Sequence, residues 1–217
     1  MTSEAMKTLD SLVIRLQEVF VAAEPALTRL DEITGDGDFG VNLREGFAEV
    51  ADRLGAPDSP EPWDTVRAVF LDEVGGTSGP LFGLLFQSLG TSAAQADSYI
   101  DALRIGISDG LAAIQRVGEA QVGDRTMVDA LAPAVEALNG DIAAMVRAAV
   151  DGALSTATLR ARRGRASYLG ERAVGHPDPG AVGGALLLCV LAEPVCGTET
   201  SDRERVRLLD SVSPGRT

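Results

Sequence analysis

Three carboxylates, Asp31, Asp36 and Asp38, fall within the short segment Asp31-Glu-Ile-Thr-Gly-Asp36-Gly-Asp38-Phe-Gly40. Glycines on either side of Asp36 let the backbone turn sharply there. Hard oxygen donors at this density suit Mg²⁺, which prefers octahedral oxygen ligands and often shares its shell with substrate phosphates. Three further Gly-rich turns recur along the chain: Gly75-Gly-Thr-Ser-Gly79, Gly123-Asp-Arg-Thr126 and Gly175-His-Pro-Asp-Pro-Gly180. Each stands before a stretch of helical period.

Other readings of the acidic segment fail on chemistry. Gly35, Gly37 and Gly40 spell G-x-G-x-x-G, but a dinucleotide fingerprint follows a strand, and the residues before this one have helical spacing. An EF-hand beginning at Asp36 needs an oxygen ligand fifth, Gly sixth and Glu twelfth; the chain has Gly40, Val41 and Phe47. A Walker A loop needs a lysine, and Lys7 is the sole lysine. An ordinary Asp/Gly turn is the plain alternative.

The elements that must hold these turns are helices. Leu9, Leu12, Val13, Leu16, Phe20 and Ala23 fall on one helical face, as do Ile100, Leu103, Ile107, Leu111 and Ile114. Ile142, Met145, Val146, Ala149, Val150 and Leu154 do the same. Breakers divide the chain into about eight helices, predicted at 4–25, 39–54, 61–74, 79–90, 96–117, 127–138, 141–162 and 179–192. The expected fold is all-α, an up-and-down array of antiparallel helices over residues 1–196. Residues 197–217 read as a polar, flexible tail on which Val206, Leu208 and Leu209 dock weakly at most.

Short loops make successive helices antiparallel. The links 1–2, 3–4, 5–6 and 7–8 then emerge at one end, and these four hold the Gly-rich motifs. The links near 55–60, 91–95 and 139–140 fall at the other end as plain turns. Ser78 is a plausible N-cap followed by Pro80, Thr126 to Asp129 resembles a capping box, and Asp178-Pro179 pairs an N-cap with Pro at N1. Taken singly these are good caps. Together, four helix N-termini on one rim form an anion site. Aspartates that bind metal beside it describe a Mg–nucleotide site. Arg160, Arg162, Arg163 and Arg165 cluster near the end of the seventh predicted helix, where most complement its C-terminal dipole. Arg165 lies beyond that helix in the rim loop and is the candidate phosphate contact. His176, the one histidine, reads as a structural loop residue.

Bulk properties narrow the class. The 217 residues carry 45% hydrophobic and 24% charged residues, as a globular domain does. A formal charge of −13 disfavours nucleic acid and anionic membrane surfaces. No apolar run approaches a membrane span on this reading, no signal-peptide pattern opens the chain, and Cys189 and Cys196 make no disulfide framework. A cytoplasmic setting is the expectation.

The motifs together resemble the L subunit or L domain of dihydroxyacetone kinases, the DhaL family. The residues that carry the resemblance are Asp31-x₄-Asp36-Gly-Asp38, Gly75-Gly-Thr-Ser-Gly-Pro-Leu-Phe-Gly83, Gly123-Asp-Arg-Thr-Met-Val-Asp-Ala-Leu131, and Gly164-Arg-Ala-Ser-Tyr-Leu-Gly-Glu-Arg172 with Gly175-His-Pro-Asp-Pro-Gly-Ala181. The resemblance implies a barrel of eight antiparallel helices with the nucleotide on one rim. It implies that Asp31, Asp36 and Asp38 hold two Mg²⁺ ions bridging the phosphates of ADP or ATP. Gly40, Asn42, Thr77 and Ser78 would touch phosphate, Gly118 and Met127 would line the adenine pocket, and Arg165 with Asp178, Pro179 and Gly180 would close the site. The family often has His after the third aspartate; this chain has Phe39.

The activity implied is phosphoryl transfer to dihydroxyacetone or a related short ketose held on a separate K subunit. The donor is either exchanging ATP or a phospho-histidine protein of a sugar phosphotransferase system that recharges bound ADP. The alternative is a non-catalytic Mg–ADP-binding interaction or regulatory protein of the same fold. Phosphoryl transfer relies on positioning and charge neutralisation, so the lack of an evident base in this chain is no objection.

Overall fold

The helical period read along the chain is realised as ten α-helices and no strand among the residues that the computed structural model describes, 3–56, 60–138, 141–168 and 170–212. Part of the expected turn at 55–60, residues 57–59, and the whole of that at 139–140 lie outside the described residues, as do Leu169, residues 1–2 and the last five of the tail.

The helices are α1 (Glu4–Ser11), α2 (Val13–Thr34), α3 (Phe39–Leu54), α4 (Pro62–Asp72), α5 (Ser78–Gln95), α6 (Tyr99–Gly118), α7 (Val128–Ala137), α8 (Ile142–Ser155), α9 (Pro179–Cys196) and α10 (Thr198–Val212). From α2 to α9 each helix packs on its successor, and α9 returns to α2. That closes an eight-helix ring with α1 and α10 added outside the cycle. The interior is apolar, and the chain's few aromatic rings gather in it. Phe20, Phe39, Phe47, Phe70, Phe82, Phe86 and Trp63 are all buried and linked ring to ring, with Phe47 and Phe70 centroids 4.8 Å apart and Phe20 and Phe47 5.0 Å apart. The Trp63 indole N–H donates to the Phe86 carbonyl at 2.9 Å, which satisfies its one polar group inside the core.

Several boundaries differ from the predicted ones, each through tertiary contact. The first predicted helix is two, broken at Leu12, and the second runs through Pro25 to Thr34. Pro25 removes one N–H from the ladder, but its acceptor residue Val21 lies on the exposed face, where water can take the freed carbonyl. Asp31 is therefore a helical residue, one turn from the end of α2, rather than a loop residue. The expected turn at 91–95 is still helix, because the buried Ser92 hydroxyl bonds the Leu89 and Ala102 carbonyls (2.9 and 2.7 Å) and ties α5 to α6. The predicted helix 141–162 ends at Ser155, where the returning loop takes over: Gly175 N–H donates to the Ala157 carbonyl at 2.7 Å.

Two further expectations need correction. The Pro179–Cys196 helix is long and apolar enough by composition to cross a membrane, contrary to the sequence reading, yet 72% of that window is buried inside the protein. It is apolar on every side because α2, α7, α8 and α10 pack around it. The tail expected to be flexible is instead α10. Leu208 and Ser201 are fully buried, while Val206 stays exposed. Its polarity is matched by tertiary partners: Glu193 of α9 takes Arg205 at 3.0 Å and Arg15 of α2 at 3.1 Å, and Arg15 also meets Asp202 at 3.3 Å. A narrow apolar stripe plus this partly buried ion-pair network holds a helix that composition alone reads as solvated.

Candidate functional site

The acidic segment is built around Asp31. Its carboxylate, 9% exposed at the end of α2, accepts from the Gly37 and Phe39 N–H groups at 3.0 and 3.1 Å, both through Oδ2. Gly37 sits at φ +83°, which only glycine adopts without strain, and that turn wraps the loop over the carboxylate. Asp36 and Asp38 then reach the same point. One oxygen from each of the three aspartates lies within 4.8 Å of the others. Three hard oxygen donors, from two carboxylates on the loop and one on the helix, thus face a shared centre. That donor set fits a divalent hard cation. Arg165 is the local counter-charge: its guanidinium pairs with Asp36 and lies 3.3 Å from Asp38.

The cluster opens into a cavity at one rim, lined by residues of all four motif loops. Asp31, Asp36, Asp38, Asn42, Thr77, Ser78, Gly118, Met127, Arg165, Asp178, Pro179 and Gly180 are all among its walls. Two of these walls close on Gly76: a β-carbon placed there would stand 3.7 Å from Asn42 Nδ2 and 3.9 Å from an Arg165 Nη. The alternation of helix direction inferred from short links thus brings the motifs together in one place. Gly40 is the exception. It does not line the cavity; it is buried where α3 crosses α2, and a β-carbon there would lie 2.4 Å from Thr28 Oγ1 and 2.6 Å from the Glu24 carbonyl. Its missing side chain serves helix packing instead of phosphate contact.

Of the three predicted caps, Asp178 forms as expected, Thr126 acts one residue before the helix boundary, and Ser78 does not cap. α7 has reciprocal bonds across its first turn: Thr126 N–H donates to Asp129 Oδ2 at 2.8 Å, and Val128 N–H donates to Thr126 Oγ1 at 3.2 Å. Asp178 caps α9, accepting from Ala181 N–H at 2.8 Å, with Pro179 at N1. Ser78, expected as a cap, is the first residue of α5, and no side chain caps that helix. The α5 N-terminus therefore presents first-turn N–H groups to the cavity with no side-chain acceptor.

The arginine cluster falls in the loop after α8, beyond that helix's last turn at Ser155. Arg162 and Arg163 reach Asp124 at 3.8 and 4.0 Å, and Arg163 also reaches Glu119 at 3.3 Å. Phe39 turns inward, 5% exposed, with its ring 6.4 Å from that of Phe82, so its side chain adds apolar surface beside the aspartates.

Sequence reasoning missed Leu81, Ile114 and Ala120, which form the apolar wall from three separate segments, and Arg125. The apolar residues share no local pattern that could reveal them. Arg125 lay inside the Gly123-Asp-Arg-Thr126 motif, where the adjacent Asp124 makes it read as one half of an ordinary surface charge pair.

Burial pushes the Asp178 carboxyl up to about 6; its bond from Ala181 N–H and the nearby Arg125 oppose the shift, and Asp129 and Asp31 add to it. A raised folded value means that protonation stabilises the fold. The contribution is complete below the ordinary value of 3.8 and is lost as pH rises through about 6. Asp178→Asn keeps the cap and removes the titration. The metal-free variant should gain on the order of 1–2 kcal/mol over the parent at pH 7, less than the roughly 3 kcal/mol of the full shift because the side chain keeps some contact with water. The gain should vanish towards pH 4. Urea midpoints of both proteins across that range test this, and parallel profiles would refute it.

Comparison with known proteins agrees with this geometry. The DAK2 domain family matches residues 33–193. The ADP-binding subunit DhaL of PEP-dependent dihydroxyacetone kinase 2 from Listeria innocua is 41% identical over 182 residues, covering 77% of this chain and 84% of that protein. The ADP-binding subunit DhaL of the Escherichia coli PEP-dependent dihydroxyacetone kinase is 35% identical, covering 82% and 91%. Among solved structures, the dihydroxyacetone kinase from C. freundii in complex with AMP-PNP and Mg²⁺ superposes with a TM-score of 0.63 at 28% identity; the match covers 85% of this chain and a third (33%) of that one. A match over most of the chain in sequence and in fold leaves one conclusion: the chain belongs to the DAK2-domain family, with the L subunits of dihydroxyacetone kinases.

Proposed function

We propose that this chain is the nucleotide-binding subunit of a dihydroxyacetone or short-ketose kinase and passes a phosphoryl group to a ketose held on a separate K-type subunit. The observation that carries the reading is the convergence of three aspartates and the uncapped α5 N-terminus on one cavity. Its nucleotide-binding relatives and the Mg²⁺–AMP-PNP complex of a structural neighbour support it.

Asp31, Asp36 and Asp38 would hold two Mg²⁺ ions, which when bound supply charge neutralisation for the nucleotide phosphates. The chain's own residues do the positioning. The α5 first turn with Thr77 and Ser78 offers fixed donors to phosphate oxygens. Asn42 and Arg165 stand over the same spot, and Arg165 exchanges its carboxylate partners for phosphate as cations arrive. Gly118 and Met127 with the apolar wall take the base. Asp178, Pro179 and Gly180 form the side of the cavity at the start of α9. The phosphoryl acceptor and its base come from the K-type partner, and the donor is ATP or a phosphotransferase-system phospho-histidine protein. The setting is cytoplasmic.

The purified chain alone is expected to leave dihydroxyacetone unphosphorylated with either donor, and addition of the cognate K-type subunit is expected to start turnover. A coupled assay with each donor in turn reads both the partner requirement and the mode. Substantial activity without a K subunit would refute the two-subunit scheme. Tight Mg–ADP binding with no turnover under any combination would favour a non-catalytic interaction protein.

A further inference from the structure

Arg125 is a guanidinium buried to 1% exposure in the wall of the cavity. Its backbone stands at φ +62°, in the left-handed region that a non-glycine residue seldom takes. The loop is braced to hold it there. The Asp129 carboxylate accepts from Gly123 N–H at 2.5 Å and from Thr126 N–H at 2.8 Å, on the two sides of Arg125, and the Asp124 carboxylate accepts from Gln121 N–H at 2.9 Å. This geometry delivers the side chain inward.

Once inside, only one of its three nitrogens is used. Nη2 donates to the Ala173 and His176 carbonyls at 3.0 and 2.9 Å. Nε and Nη1 are buried without a hydrogen-bond partner among the described residues. Asp178 is near enough to act on Arg125 through space, but its Oδ2 takes the Ala181 N–H, and no ion pair joins the two among the described residues. The other cavity arginines differ: Arg163 and Arg165 are about half exposed and already paired with carboxylates. A guanidinium stays charged in a protein, and a buried cation with open donors calls for an anionic acceptor.

We propose that Arg125 is a phosphate contact of the bound nucleotide, its open Nε–H and Nη1–H groups donating to an anionic oxygen of the phosphate chain. This rests on the nucleotide reading of the cavity. Through Nη2 the same side chain ties the contact to the 170–176 segment, so the arginine registers phosphate on one side and holds the loop before α9 on the other.

Calorimetric titration of the wild type, Arg125→Lys and Arg125→Met with Mg–ADP and with adenosine tests it. Arg125→Met should lose on the order of 10–100-fold in Mg–ADP affinity, the effect of removing a charge-assisted hydrogen bond. Adenosine affinity should change less than about threefold, since adenosine carries no phosphate for the arginine to meet. Arg125→Lys should fall between, because an ammonium keeps the charge but replaces the planar fork with one point donor. Equal losses for both ligands would assign Arg125 a merely structural role and overturn the proposal. Should the variants fail to fold, the wild type still decides. Its Arg125 Nε–H resonance should shift with Mg–ADP and stay in place with Mg²⁺ plus adenosine; an unmoved resonance with bound Mg–ADP overturns the contact. If the wild type binds no Mg–ADP at all, the nucleotide reading itself has failed, which is a different result from binding that is indifferent to Arg125.

Discussion

Asp36→Asn and Asp38→Asn should each abolish Mg-dependent nucleotide binding, a loss of at least about 100-fold, while leaving the helical fold intact. Each substitution removes one of only three carboxylates whose oxygens share a centre within 4.8 Å, and a hard divalent cation beside a polyphosphate needs anionic oxygens. Both side chains are partly exposed and project from the loop, so no core contact is lost. Their pairing with Arg165 disappears, but ion pairs in such exposed positions are worth about 0–1 kcal/mol. Asp31 is a poorer choice for this test, because its carboxylate also accepts the Gly37 and Phe39 N–H groups that shape the loop. Titration with ADP at fixed Mg²⁺, alongside circular dichroism, reads both halves of the expectation. Wild-type affinity in both variants would remove the metal assignment.

Mg–ADP should raise the thermal midpoint strongly, and EDTA should reverse the rise. A ligand that binds only the folded state adds RT ln(1 + [L]/Kd), about 2.7 kcal/mol at a hundredfold excess over Kd. For a domain of this size that corresponds to roughly 5–10 °C. Protection against hydrogen exchange should concentrate in the four rim links, residues 35–38, 73–77, 119–127 and 156–178, where the cavity walls lie. Arg165 offsets part of the mutual repulsion of the acidic cluster without ligand. The turns at 55–56 and 96–98 join helices at the far end and should change little. Protection confined to those far turns would show that the ligand sits elsewhere.

Much of the site could be read in the chain because its chemistry is local. Asp31, Asp36 and Asp38 need only five intervening residues, two of them glycine, to converge, and Asp178-Pro179 and Thr126 to Asp129 encode their caps within four residues. The parity of the links puts four motifs on one rim, since in an up-and-down array every second loop emerges at the same end. The aromatic core was legible only as apolar period.

What the one-dimensional chain determined by itself is the helical class, the acidic cluster, the capping chemistry and the common rim: each follows from spacing over a few residues and from the alternation of helix direction. Tertiary structure alone decided the rest. It carried α2 through Pro25, because the freed carbonyl faces water, and so placed Asp31 within a helix. It gave Gly40 to the α2–α3 crossing and Phe39 to the core. It folded a polar tail into α10, because Glu193 lies across from Arg15 and Arg205. It buried Arg125 with two open nitrogens beside the cavity. These outcomes depend on partners tens of residues away, and a buried charge or a close helix crossing has no meaning until those partners are in place.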